Sequence, residues 1–357
     1  LHHPIPICFA PLAVEQKTNP LPKTQVQKTY TCFKSASYKN KINTGTAKDM
    51  TKIQVKKLAT MTGHADSLYA LAPAHATDCF YSAGNDGMVV QWHKNHPEQG
   101  HLIARVSGTI YALCSLPNEQ ALIVGQNNQG VYRIQEDTRQ VSASAAVTTA
   151  AIFDITCQNE RLYVATGSGE LIVLTADRLQ TIDKWQISVK SLRCLALHPS
   201  LPHLAVGTSD HHIYVLNSHT MQPIAKLAGH TNSVFSLTYS PCGRYLLSGS
   251  RDAHLRIWDI AADYALVQSI VAHMYTINHI AYSPDNQWFI TCSKDKSIKL
   301  WEAATFILRK VIDRARHAGH GTSINKLLWL NNRQFVAASD DRSLSVWEFT
   351  TENGTNF

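Results

Sequence analysis

The chain has 357 residues, 44% of them hydrophobic and 17% charged, with a formal net charge of +7. This is a globular composition, long enough for one large all-β domain or two ordinary domains, and no run of about 18 apolar residues is present that could span a bilayer. Its eight cysteines (Cys8, Cys32, Cys79, Cys114, Cys157, Cys194, Cys242 and Cys292) stand singly without a CxxC pair. The spacing therefore indicates neither a zinc ribbon nor a disulfide framework, and a reducing, cytoplasmic setting is expected.

Residues 1–49 differ from the rest. Seven lysines (17, 23, 28, 34, 39, 41 and 48) face only Glu15 and Asp49, a local net of +5, which leaves +2 for everything that follows. A remainder so nearly balanced has no phosphate-binding footprint, so direct nucleic-acid contact is not expected. The stretch is rich in Lys, Thr, Asn and Pro and keeps neither a 3.6 nor a sustained 2.0 period, which predicts disorder. Its apolar piece, Ile5 to Val14, is broken by Pro6 and Pro11 and has no cationic region before it, so it does not read as a secretory signal. Met50 immediately precedes the first strand-like segment, which suggests a native start there and a non-native extension ahead of it.

From residue 50 onward a period of about 42 residues organises the chain, the spacing of propeller blades. The segments "AGNDGMVVQW" (83–92), "SGSRDAHLRIW" (248–258), "CSKDKSIKLW" (292–301) and "ASDDRSLSVW" (338–347) each place an Asp six residues before a Trp. The pairs are Asp86 with Trp92, Asp252 with Trp258, Asp295 with Trp301, and Asp341 with Trp347. The same frame finds three degenerate copies: Asn128 with Ile134, Ser168 with Leu174, and Asp210 with Leu216. Seven units result, with their bulky positions separated by 42, 40, 42, 42, 43 and 46 residues. The longest step contains the basic insertion "RARHAGH" (314–320), read as loop variation. Within a unit, alternating runs such as "LRIW" and Pro-terminated runs such as "VFSLTYSP" predict four short strands. One unit cannot bury its apolar faces alone, so the units must stack radially and close into a ring.

The chain resembles the WD40-repeat family over residues 51–349. Gly229-His230, "YSPCGRYLLSGSRD" and Trp258-Asp259 of the fifth unit carry the likeness most fully. The resemblance implies a seven-bladed, all-β propeller and a repeated hydrogen-bond network: His64, Ser82, Asp86 and Trp92 in blade one; His230, Ser248, Asp252 and Trp258 in blade five; His273, Thr291, Asp295 and Trp301 in blade six. Such spacing lets Asp accept from imidazole, imidazole meet a hydroxyl, and the hydroxyl receive the indole N–H, so that buried polar groups are paired. Blade seven keeps His320, Asp341 and Trp347 but has Ala337 at the hydroxyl position, which predicts an incomplete network. Blades two to four lack His and Trp and are expected to rest on apolar packing and to be softer.

Leu58, Met61 and Gly63-His64 mirror Ile224, Leu227 and Gly229-His230, so residues 52–61 read as an outer strand ahead of blade one. The last unit ends after three strands. The N-terminal strand is therefore expected to complete the last blade and lock the ring.

By position, the resemblance also implies a partner-binding top face around the channel. Five residues after each His position stand Tyr69, Tyr111, Phe153, Arg193, Phe235, Asn278 and Asn325. Before each turn residue stand Asn85, Asn127, Gly167, Ser209, Arg251, Lys294 and Asp340. Aromatic and Arg side chains dominate interface energies, so Arg193, Arg251 and Lys294 beside four aromatics suggest a protein or peptide partner, acidic or phosphorylated. The expected function is a non-enzymatic scaffold or adaptor, a monomeric propeller within a larger complex, with no cofactor, metal or membrane. His211-His212, lacking a third ligand, reads as surface. The alternatives are a propeller hydrolase or lactonase, which needs inward metal ligands from several blades, and a scaffold in a nucleic-acid-associated complex.

Overall fold

The computed structural model describes residues 5–6 and 53–351. The expectation of a disordered or non-native segment over 1–49 lies outside these residues, except that Ile5–Pro6 pairs in parallel with Trp185 and Gln186.

Seven sheets follow one another along the chain, each built on four antiparallel strands that are consecutive except at the closure, with Ile5–Pro6 as a short parallel fifth strand on the third. In blade one the strands are Leu68–Pro73, Cys79–Gly84, Met88–His93 and His96–Arg105, ordered from the channel outward. The innermost strands of the next six blades are Ile110–Leu116, Ile152–Gln158, Leu192–Leu197, Val234–Tyr239, Ile277–Tyr282 and Ile324–Trp329. Each packs beside the next, and Ile324–Trp329 returns to pack beside Leu68–Pro73.

The sequence pattern follows from what each strand meets. Second strands are packed on both faces and read as continuous apolar or small residues; "ALIVGQ" (121–126) is buried at every position. Outer strands meet solvent, and "TIDKWQ" (181–186) is mostly exposed. Seven apolar clusters fill the gaps between successive sheets instead of forming one centre. Their close fit explains Gly249 near the end of blade five's second strand: a Cβ there would lie 2.6 Å from Ile277 Cγ2 of blade six.

The ring closes through the first long strand, Ile53–Thr62, which runs antiparallel to Ser343–Thr351 from Ile53 opposite Thr351 to Thr62 opposite Ser343. It is the fourth strand of blade seven. Met61 is buried with Leu68, Phe80, Trp92 and Val346, so the closing strand joins the wedge between the last and first blades. The basic insertion forms a short helix, Arg314–His317, capped by the Asp313 side chain accepting from Arg316 N–H.

Candidate binding site at the channel mouth

The repeated polar groups form four closed networks. In blade one, His64 Nδ1 bonds Asp86 at 2.8 Å, its Nε2 bonds Ser82 Oγ at 2.7 Å, and Trp92 Nε1 donates to that hydroxyl at 2.8 Å. Blade five repeats this with His230, Asp252, Ser248 and Trp258, and blade six with His273, Asp295, Thr291 and Trp301. Each Asp also accepts a backbone N–H at the start of the loop, from Ala65, Thr231 or Met274. Burial holds the three imidazoles below their ordinary pKa, against the pull of the aspartates. These groups fasten the loop before each inner strand to the turn between the second and third strands.

Two blades depart from the sequence reading. Blade seven is not missing its hydroxyl: Ser345 on the third strand bonds His320 Nε2 at 2.7 Å and accepts from Trp347 Nε1 at 2.6 Å. Blade four does not rest on apolar packing alone. Ser188, 22 residues before Asp210, occupies the His position and donates to Asp210 at 2.7 Å, while Tyr214 Oη donates to the same carboxylate at 2.9 Å. Burial would raise the Asp210 pKa, but the hydroxyl of Thr208, which also donates to it, those of Ser188 and Tyr214, and the His212 N–H bring it down to about 2. The signal was the 22-residue spacing itself, which Ser188 shares with His64, His230 and His273.

The seven channel-mouth residues are set by a single backbone device. In blade one the strand register steps from Leu68–Gly84 to Ala70–Ala83, leaving Tyr69 as one extra residue. The same step leaves Tyr111, Phe153, Arg193, Phe235, Asn278 and Asn325 as the extra residues of the other six inner strands. A β-bulge re-aims the side chain of its extra residue, and here it does so at the same level in every blade.

The re-aimed side chains interact around the ring. Tyr69 packs on Tyr111 with ring centroids 4.7 Å apart, and Tyr111 on Phe153 at 5.5 Å. The Arg193 guanidinium lies 4.2 Å from the Phe153 centroid and 5.2 Å from that of Phe235. Five blades thus share one arc of π and cation–π contacts. The remaining two close it with amides: Asn278 Nδ2 donates to Ile324 O at 2.8 Å, and Asn325 Nδ2 donates to Leu68 O at 2.9 Å and Asp340 Oδ1 at 2.7 Å. All seven are half-buried.

The residues before the turns stand beside this arc. Backbone N–H groups of Asn85, Asn127, Gly167, Ser209, Arg251, Lys294 and Asp340 each donate to the carbonyl of the residue just before an inner strand. Ser209 Oγ accepts from Arg193 Nε at 2.8 Å, whereas the Arg251 and Lys294 side chains are exposed. Beside Lys294, Met274 and Tyr275 are 82% and 59% exposed, an apolar pair that the register argument did not single out.

Below the mouth a channel of about 760 Å³ holds three ionisable side chains that sequence reasoning missed: Asp154, His279 and Lys326. Each immediately follows a mouth residue, and a charged or imidazole group at that place in an otherwise apolar strand was the available signal. Asp154 accepts Leu195 N–H of the next blade at 2.8 Å, and His279 Nδ1 accepts Leu327 N–H of its next blade at 3.3 Å. Burial raises the Asp154 pKa; burial, reinforced by Lys326, drives that of His279 well down. Two of the three are thus splints between inner strands. Among the described residues no group of three or more His, Cys, Asp or Glu side chains is placed to hold a metal ion.

The family description "WD domain, G-beta repeat" matches residues 55–93, 221–259, 264–302 and 313–348, the four units that carry the His–Asp–Trp networks. The chain belongs to the WD40-repeat family. A solved structure, titled "Crystal structure of WD40 beta propeller domain of Doa1", superposes with a TM-score of 0.73 over 82% of this chain and 97% of that one, at 15% identity. That likeness is one of fold. Among curated proteins, this WD40 chain is 26% identical over 213 residues to the striatin homolog of Dictyostelium discoideum, covering 59% of this chain and 22% of that protein. It is 24% identical over 260 residues to striatin of Rattus norvegicus, covering 64% and 32%. With the 66 kDa stress protein of Physarum polycephalum it shares 25% over 223 residues, covering 60% and 35%. The chain therefore spans about a third or less of these relatives' length. A WD40 ring of this kind is a general scaffold for protein interaction, and the partner is decided by the surface it carries.

Proposed function

We propose that this WD40 propeller is a non-enzymatic scaffold or adaptor that binds a partner polypeptide at the mouth of its central channel. The observation that carries this is the arc from Tyr69 through Tyr111, Phe153 and Arg193 to Phe235, built by a bulge repeated in all seven inner strands. Aromatic and guanidinium groups at the centre of a surface are the usual energetic anchors of protein interfaces. The repeated His and Asp side chains are spent on holding the blades, so they are not a hydrolytic site; a catalytic site would be unique, whereas this grouping recurs around the ring.

The test is a triple variant, Tyr69→Ala, Tyr111→Ala, Arg251→Ala, compared with wild type by quantitative affinity capture. Loss of the proteins held by the wild type, with an unchanged melting temperature, supports the mouth as the site. An unchanged set of captured proteins moves the site to the rim or the opposite end.

A further inference from the structure

We infer that the channel mouth takes the carboxylate side chain of an Asp or Glu from the partner polypeptide, and that Arg193 is the residue that reads it. The inference rests on the reading of the mouth as the partner-binding site.

Arg193 is immobilised before any partner arrives. Its backbone is the bulged residue of the blade-four inner strand, its plane is held between Phe153 and Phe235, and its Nε donates to Ser209 Oγ at 2.8 Å. Among the described residues no acceptor meets Nη1 or Nη2, and no carboxylate pairs with the guanidinium. A guanidinium half-withdrawn from water without a counter-ion is costly, and a ligand that supplies one recovers that cost. The two free nitrogens of an oriented fork match the two oxygens of a carboxylate. Fixing the fork in advance also lowers the entropy lost on binding.

The charges nearby favour an anionic side chain. On the cationic side are Arg193, the exposed Arg251 and Lys294 on neighbouring turns, and Lys326 in the channel, none of which is ion-paired within the described residues. On the anionic side are Asp154, which accepts two backbone N–H groups, and Asp340, which accepts from Asn325. Cations therefore lie on both sides of the arc, with few carboxylates to offset them. The two nitrogens of the fork match a carboxylate, and Asp340 and Asp154 nearby would repel the second charge of a phosphate dianion. The flanking rings of Phe153 and Phe235 would cover the methylenes of the inserted side chain.

The experiment uses the full chain, immobilised, and a positional-scanning library of acetylated, amidated octapeptides that contains Glu, Gln, Asp, Asn and phosphoserine. Glu or Asp should be enriched about tenfold or more over its amide at one position, the scale of a charge-assisted hydrogen bond pair. Arg193→Gln should abolish that selectivity at an unchanged melting temperature. Ser209→Ala, which keeps the charge but frees Nε, should reduce it several-fold and serves if the first variant does not fold. Preference for phosphoserine over Glu overturns the choice of carboxylate. Peptides that bind but select apolar or basic residues at every position overturn this inference while leaving the scaffold reading intact. Binding that the Tyr69→Ala, Tyr111→Ala, Arg251→Ala protein retains, or no binding by any member, overturns the mouth as the site and this inference with it.

Discussion

Ser345 stands directly across the strand pair from Ala337, and its hydroxyl bonds both His320 and Trp347. In blades one, five and six the hydroxyl sits on the second strand, as Ser82, Ser248 or Thr291, and the facing third-strand residue is Val90, Arg256 or Lys299. Cross-strand partners have Cβ atoms about 5 Å apart, so a hydroxyl on either strand reaches the same imidazole and indole. Ser345→Ala should strand two buried nitrogens and destabilise by about 1–3 kcal/mol. Adding Ala337→Ser should recover most of that loss in urea denaturation. A double variant no more stable than Ser345→Ala would mean that the two positions are not interchangeable.

The same networks set a pH dependence. Burial holds His64, His230 and His273 below 6.5. Burial would raise Asp252, Asp295 and Asp341, but their histidine and hydroxyl or N–H donors prevail and hold all three below 3.8, Asp341 at about 2. All six groups bind fewer protons folded than unfolded, so each contributes stability at high pH that is lost as pH falls. Denaturation midpoints should decline first below about pH 6.5 as the unfolded-state histidines protonate, then again below about pH 4 as the aspartates do. A midpoint that rises on acidification from pH 7 to 5 would contradict the neutral, buried imidazoles.

The ring was legible because one residue type repeats at a fixed distance from another: Asp and Trp at the turns report four blades, and bulky aliphatics in the same frame report three more. The closing strand was legible for the same reason, Met61 mirroring Leu227 before a Gly-His pair. What sequence reasoning missed depends on contacts between strands. Ser345 looks like an ordinary alternating strand residue until its register with Ala337 is known. The stacking of Arg193 between Phe153 and Phe235 joins three successive blades, and only the packing of their inner strands side by side brings them together. Asp154 and His279 are splints because the neighbouring blade presents an N–H, which no pattern within one blade can show.

The closing strand should carry stability unevenly along its length. Met61 is buried against Leu68, Phe80 and Trp92, whereas Leu58 is the bulged residue between Lys57 and Ala59 and is 41% exposed. Met61→Ala should cost about 2–5 kcal/mol, as other buried truncations to Ala do. Leu58→Ala should stay within about 0.5 kcal/mol. A protein that begins at Gly63 should lose more than Met61→Ala, because Ser343–Thr351 then has no outer partner. Similar thermal midpoints for the Met61 and Leu58 variants would show that the strand adds register but little packing.

The turn after each Asp holds an asymmetry that stability measurements can read. Gly87 follows Asp86 with φ of 67° and Gly169 follows Ser168, its blade-three counterpart, with 85°, whereas His211, Ala253, Lys296 and Arg342 occupy the same place at 75°, 66°, 71° and 67°. An L-residue there costs about 1–2 kcal/mol relative to its right-handed conformation. Glycine avoids that cost and gives back about 0.5–1 kcal/mol through its freer unfolded chain. Ala253→Gly should therefore stabilise blade five by about 0.5–1 kcal/mol. Gly87→Ala should destabilise by more than that gain, since a Cβ on Gly87 would fall 2.1 Å from Val106 O and the outer strand of blade one would have to move. Opposite signs for the two substitutions in denaturant midpoints are the expected result. Equal signs would place the energetic cost in loop packing and not in the left-handed backbone.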